Sequence, residues 1–409
     1  MKDKKEFDRI CADFIKNTMD FYDIPGIAVG VYCGNDPEAS ETADTMHGGS
    51  PYIFKGAAGY RNYQTKTPVT PDTVFHCTSV SKLFTAAGIM KLTESGRLNL
   101  SDRLVDVLPY MYIADKRWEN ITIKSMLTHT SGLTDVSDYG WENHKTGENA
   151  LKEYALSPEI AERRLLWAPE QGLFRYSSMA YDLLGLVIAE CSGVTFEEFA
   201  EREIFKPLGM KNTSFLTFDR INYSRDTKTA GSGSPDVRTD CRRALQAIDR
   251  AGLAMPHRKS SDRSIVTEDV YPYTRQHGPS STLTSTAGDL LKWAAALMGK
   301  TELVTEPAYM KSAPLHEESI SLMWKEHCGV PDTGEGMGLG WFIRKQKAAS
   351  ADGVRDAHEY ILVGHEGSDD GFRTGFWICP QLKIATVLLC NLTDAPLKKL
   401  GKKLFEELV

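Results

Sequence analysis

Thr78-Ser79-Val80-Ser81-Lys82-Leu83-Phe84-Thr85-Ala86-Ala87-Gly88-Ile89-Met90-Lys91-Leu92 is the stretch on which the reading of this chain turns. From Leu83 to Leu92 it is apolar almost all round, the pattern of a helix buried on every side. Thr78 suits the N-cap, and Gly96 suits the position just past the C-terminus. Ser79 is then expected in the first helical turn, with Lys82 one turn later on the same face. A hydroxyl is a poor nucleophile at neutral pH, and a desolvated amine within hydrogen-bond reach is one way to activate it. First-turn N–H groups and the helix dipole also favour an oxyanion at that spot. Ser81 competes for the nucleophile role but points elsewhere on a helix. By itself the pattern is weak, since average composition yields a Ser-x-x-Lys about once or twice in a chain this long.

Two other segments give it weight. Phe174-Arg175-Tyr176-Ser177-Ser178 leads into the apolar run Tyr181–Glu190, which stops near Gly193. Far downstream, Gly364-His365-Glu366-Gly367-Ser368 follows Tyr360-Ile361-Leu362-Val363 and precedes Gly371-Phe372-Arg373-Thr374-Gly375. In this order the three segments resemble the motifs of the serine β-lactamase and penicillin-binding-protein superfamily, most closely its class C-like branch of esterases, D-amino-acid peptidases and amidases. Ile121–Leu133, Phe205–Met210 and Leu283–Leu290 are similar to further landmarks of that branch. The likeness runs from about Ile24 to about Leu392.

The resemblance implies an antiparallel sheet flanked by helices, with the site in a cleft beside a helical subdomain. It implies that Ser79, Lys82 and Tyr176 are catalytic, and that the amides of Ser79 and Ser368 form the oxyanion hole. Which of Lys82 and Tyr176 acts as base stays open. Ser178, His365 and Gly367 fall on substrate-binding positions. Ser178 stands where the family pattern has asparagine, and a hydroxyl cannot offer an amide's paired donor and acceptor. A simple N-cap for the following helix is its other reading. His365 stands where β-lactam-recognising members carry lysine, while glycine at 367 lets the strand approach a substrate closely.

Composition agrees with a globular enzyme. The chain has 409 residues, 41% hydrophobic and 25% charged, with a formal net charge of −7. Nothing in that balance suggests nucleic acid, and the longest apolar runs fall far short of a membrane span. The N-terminus lacks the apolar core and cleavage site of a secretory signal. Eight cysteines are scattered without a Cys-x-x-Cys, so buried free thiols and a cytoplasmic location are expected. Gly334–Gly340 is glycine-rich but a strand follows, which argues against a dinucleotide loop. No His, Cys or acidic cluster has metal-ligand spacing, so neither metal nor organic cofactor is expected.

The order of patterns predicts an α+β fold. A helix over about 4–22 precedes strands at Ile27–Cys33 and Tyr52–Tyr60, separated by the polar loop Gly34–Ser50. Strands at Leu339–Arg344, Glu359–Val363, Arg373–Ile378 and Ile384–Cys390 precede a terminal helix at Lys398–Leu408. Residues 1–104 and 275–409 are read as a discontinuous sandwich, and 105–274 as a mainly helical subdomain. The loops Ser137–Glu148 and Phe218–Asp240 are long and polar, either site borders or surface.

The expected activity is a serine hydrolase acting through an acyl-enzyme on a small ester or amide, esters first. The alternatives are a β-lactamase or D,D-peptidase, and a binding or regulatory module of the same fold. The oligomeric state is not legible.

Overall fold

The computed structural model describes residues 4–34, 51–223, 237–300, 314–347 and 359–409. Most of the Gly34–Ser50 loop, and the part of the Phe218–Asp240 loop between 224 and 236, lie outside the described residues.

Among the described residues nine strands form one antiparallel sheet. Its order is Thr67–Pro68, Tyr52–Asn62, Gly26–Cys33, Ile384–Cys390, Phe372–Cys379, Glu359–Asp369, Phe342–Lys347, Gly336–Met337 and Cys328–Gly329. The first long strand pairs with the last, Val29 opposite Leu388. The sheet therefore closes only when both ends of the chain have met. Both central strands, Gly26–Cys33 and Ile384–Cys390, are buried along their whole length, which explains why they read as continuous apolar runs rather than alternating ones.

Each face of the sheet has its own core. On one side the terminal helices Lys4–Tyr22 and Leu397–Leu408 cover Val29, Val31, Trp377 and Leu388. On the other, Ser81–Glu94, Ser178–Ser192 and Ala287–Leu297 pack over Val363, Phe376, Ile378 and Val387. Helix Ser81–Glu94 is buried on all sides, with Leu83, Phe84, Ala87, Ile89 and Leu92 at no more than 1% exposure. This is the α+β architecture expected from the sequence.

Three local expectations need correction, and one element was not foreseen. Thr78 is not an N-cap: it adopts φ +52 and opens a 3-10 turn, Thr78–Val80, that runs into the helix without a side-chain cap. Gly96 does lie just past the helix end, at φ +69. The helix after Tyr176 is capped by Ser177, whose Oγ accepts from Ala180 N at 3.1 Å, not by Ser178. The region 105–274 contains a hairpin, His257–Lys259 with Ile265–Thr267, that its polar sequence hides. The strand read at Leu339–Arg344 begins at Phe342, because Gly340 turns at φ +88. All eight cysteines are free. No single helix among the described residues is long and apolar enough to cross a membrane.

Candidate active site

The nucleophile segment is held from both sides before it reaches Ser79. Phe75–His76 pairs antiparallel with Thr284–Ser285, and Cys77 N donates to Leu283 O at 2.7 Å. These bonds deliver Thr78 in a left-handed conformation that costs a β-branched residue about 1–3 kcal/mol. The turn that follows leaves Ser79 partly exposed on the wall of a cavity of about 780 Å³. Ser81 is structural: its Oγ donates to Thr78 O at 2.7 Å and accepts from Leu283 N at 2.9 Å.

Lys82 is fully buried. Its Nζ donates to Ser79 Oγ at 3.3 Å and to Ser280 O at 2.7 Å. Nζ lies 5.0 Å from the centre of the Tyr176 ring and 5.7 Å from that of Tyr181. The structure thus gathers Ser79, Lys82 and Tyr176, which are spread over 98 positions of sequence, around one point. The Tyr176 hydroxyl makes no hydrogen bond among the described residues, while its ring packs 4.5 Å from that of His129.

His129 belongs to the Thr128–Gly132 segment and is structural. It is fully buried, and its Nδ1 accepts from Ser177 N at 3.1 Å, fixing the turn that carries Tyr176. Burial, reinforced by the charge of Lys82, holds it well below the usual histidine range.

The third motif lies on the Glu359–Asp369 strand. Strand Phe342–Lys347 pairs with it only up to Gly364, so from His365 to Asp369 the strand has a neighbour on one side alone. Alternate backbone groups of that stretch are therefore left for the cleft. Ser368 and Gly367 line the same cavity as Ser79. A Cβ added at Gly367 would lie 1.5 Å from Thr78 Oγ1 and 2.7 Å from Ser79 N. Glycine is what lets this strand lie against the nucleophile turn. Gly367→Ala is expected to push the two apart and cut the rate of Ser79 acylation about 10²-fold, the scale of a 1 Å misplacement. Stopped-flow labelling with a fluorophosphonate measures it, and an unchanged rate would remove Gly367 from the site.

His365 also lines the cavity and is 2% exposed. Burial first, and then the charges of Lys82 and Arg344, lower its pKa to about 3. Its Nδ1 bonds to the carbonyl of Glu366 and so carries the proton of the neutral ring. Nε2 is then an acceptor, and it has no partner among the described residues. The neighbouring Glu366 does not add charge beside it, because its carboxylate is taken by Arg344 Nη1 at 3.0 Å. Arg344 in turn stacks 3.7 Å over Trp377 and bonds Glu335 at 2.6 Å.

Ser178 is fully buried and stands behind the wall. Tyr139 OH donates to its Oγ at 2.8 Å, and Asp135 Oδ1 accepts from its backbone N at 2.7 Å. Tyr139 and Asp135 line the cavity in front of it. Tyr139 comes from the Ser137–Glu148 loop, so that loop does border the cleft. Sequence reasoning missed Asp135, Tyr139, Phe342 and Arg373 on the wall; only the position of Tyr139 in a long aromatic loop signalled any of them. Arg373 faces Ser368 across the ladder, and its Nη1 donates to the carbonyls of Asp369 and Phe372 at 3.2 and 3.0 Å. No group of His, Cys, Asp or Glu among the described residues is arranged to hold a metal.

Comparison with known proteins bears on this geometry. The family model Beta-lactamase matches residues 11–405. Protein flp of Staphylococcus aureus (strain MW2) is 27% identical over 366 residues, which cover 88% of this chain and 61% of that protein. This chain thus spans about three fifths of the length of that relative. Among solved structures, the class C beta lactamase from Rhodobacter sphaeroides superposes with a TM-score of 0.64 at 18% identity, covering 97% of this chain and 98% of that one. The D-stereospecific amidohydrolase from Streptomyces sp. gives 0.65 at 18% identity, covering 97% and 98%. At such identities the superpositions speak for the fold.

Proposed function

This chain belongs to the beta-lactamase family, and we propose that it is a serine hydrolase that acylates Ser79 with small esters in preference to β-lactams. Lys82, as the neutral amine, takes the proton from Ser79 Oγ and becomes the ammonium, while the Tyr176 hydroxyl gives its own proton to the leaving group and is reprotonated from Lys82. The backbone N–H groups of Ser79 and Ser368 hold the oxyanion. Water then releases the acyl group by the same path in reverse. A small amide is the slower substrate of the same route, because its amine leaves less readily.

The observation that supports the ester preference is His365. Where a lysine would present an ammonium to a substrate carboxylate, position 365 holds a buried neutral imidazole whose Nε2 is an acceptor without a partner among the described residues. Carboxylates need donors, so this position contributes no bond to one. The loss against a charged hydrogen bond is about 1.5–3 kcal/mol, or roughly 10- to 150-fold in selectivity.

A second reading rests on Arg373. Its guanidinium lines the cavity and, among the described residues, forms no ion pair. It could take a substrate carboxylate, which would suit a β-lactam or a peptide C-terminus. Burial lowers its pKa, against the opposing pull of the nearby carboxylates of Asp394, Asp369 and Asp370, which also offset its field at the cleft; both weigh for the ester reading.

The test is kcat/KM for p-nitrophenyl butyrate against benzylpenicillin. The ester is expected to lead by at least about tenfold. Because His365 protonates only near pH 3, the ratio is expected to stay flat from pH 5 to 8. A β-lactam value equal to the ester value would establish the second reading instead. A ratio that falls steeply below pH 7 would show that His365 charges in the working range.

A further inference from the structure

Three segments that are far apart in the chain meet at one carboxylate oxygen behind the nucleophile. Asp369 Oδ2 accepts from Ser281 Oγ at 2.6 Å and lies 2.7 Å from His76 Nε2. The side chains of His76 and Asp369 are 0% and 6% exposed, and Ser281 is fully buried. Each of the three is tied to one part of the site. His76 lies on the short strand that delivers Thr78 and Ser79. Ser281 follows Ser280, whose carbonyl anchors Lys82 Nζ. Asp369 follows Ser368 at the end of the cleft-edge strand.

The turn that anchors Lys82 is braced from its other side as well. Thr85 Oγ1 donates to Pro279 O at 2.7 Å. His277 Nδ1 lies 2.7 Å from Asp182 Oδ2, with both side chains fully buried. Neither brace reaches the cleft-edge strand, whereas Asp369 joins that strand to the turn.

We propose that Asp369 is a positioning residue that sets the spacing between the Lys82 anchor, the nucleophile turn and the oxyanion strand. The inference rests on the acyl-enzyme reading given above. A carboxylate suits the task because it only accepts, and here two donors converge on one of its oxygens. Charge-assisted bonds of this kind are short and about twice as strong as neutral ones. With alanine there, buried His76 and Ser281 lose the acceptor they share. Asp369 is nearly buried and is not among the residues that line the cavity, so the cost is expected on geometry in the reaction step rather than on binding.

The experiment measures kcat and KM for p-nitrophenyl butyrate, with the rate of Ser79 labelling by a fluorophosphonate, in the unmodified protein and four variants. These are Asp369→Asn, Asp369→Ala, Ser281→Ala and the Ser281→Ala/Asp369→Ala pair, each checked for folding by its thermal transition. Asp369→Ala is expected to lose about 10²-fold in kcat and in labelling rate, with KM within about twofold. Asp369→Asn, which keeps shape and an acceptor oxygen, is expected to recover part of that loss. The double variant should be no slower than Asp369→Ala alone, since both changes cut one link. Folded Asp369→Asn and Ser281→Ala proteins that match the unmodified kcat would overturn the proposal, as would a loss carried by KM or a fully additive pair. Labelling at Ser79 in the unmodified protein separates this from a failure of the acyl-enzyme reading. Its absence would overturn that reading and the present proposal together.

Discussion

Ser79→Ala will abolish covalent labelling by fluorophosphonates and lower ester turnover by about 10⁴–10⁶-fold, the range seen when the nucleophile of an acyl-enzyme route is removed. The expectation rests on position as much as on chemistry. Ser79 is partly exposed on the cavity wall, receives the Lys82 Nζ hydrogen bond at 3.3 Å, and sits in a turn whose Thr78 is held at φ +52. Neither competitor has these properties. Ser81 is fully buried with its hydroxyl committed at both ends. Ser131 is buried, and its Oγ is occupied by Leu133 N. Intact-mass and peptide mapping after labelling decides the matter. A label that persists in Ser79→Ala, or maps to Ser81 or Ser131, would end the assignment.

The second large effect concerns proton transfer. Lys82→Ala and Tyr176→Phe are each expected to cost about 10²–10⁴-fold in kcat/KM, the usual weight of a positioned acid or base. The pair together should be little worse than the more severe single change, because residues that act in one relay are not additive. Lys82 Nζ is the hub: it bonds Ser79 and Ser280 and lies against the Tyr176 ring. Tyr176→Phe keeps the ring packed on His129 and Phe342, so it tests the hydroxyl alone. Single-turnover acylation of the four proteins completes the cycle. Losses that simply add would give the Tyr176 hydroxyl a role separate from Lys82, and a Tyr176→Phe protein with no loss would leave Tyr176 a packing role alone.

Several features of this molecule were legible in the residues. The apolar runs at Ile27–Cys33 and Ile384–Cys390 appear as central strands because a strand buried on both faces has no polar phase to show. The run after Lys82 appears as a helix buried on all sides for the same reason, and Gly96 ends its neighbourhood in the left-handed conformation. The spacing of Ser79 and Lys82 alone put the amine within reach of the hydroxyl, since three residues make about one helical turn.

Tertiary structure decided the rest. Local rules favour threonine at an N-cap, yet Thr78 is forced left-handed by a strand pair and by Gly367, partners more than 200 and nearly 300 residues away. Ser177 rather than Ser178 caps its helix because the Ser178 hydroxyl is claimed by Tyr139 from another loop. Strand alternation already allows Glu366 to point away from His365, but its partner there, Arg344, comes from the neighbouring strand. The Lys82 anchor is a backbone carbonyl, Ser280 O, which carries no side-chain signature at all. Propensity and periodicity act over a turn or two of chain and so determined the elements. What the site residues face depends on which distant segments the closed sheet brings together, and no local pattern records that.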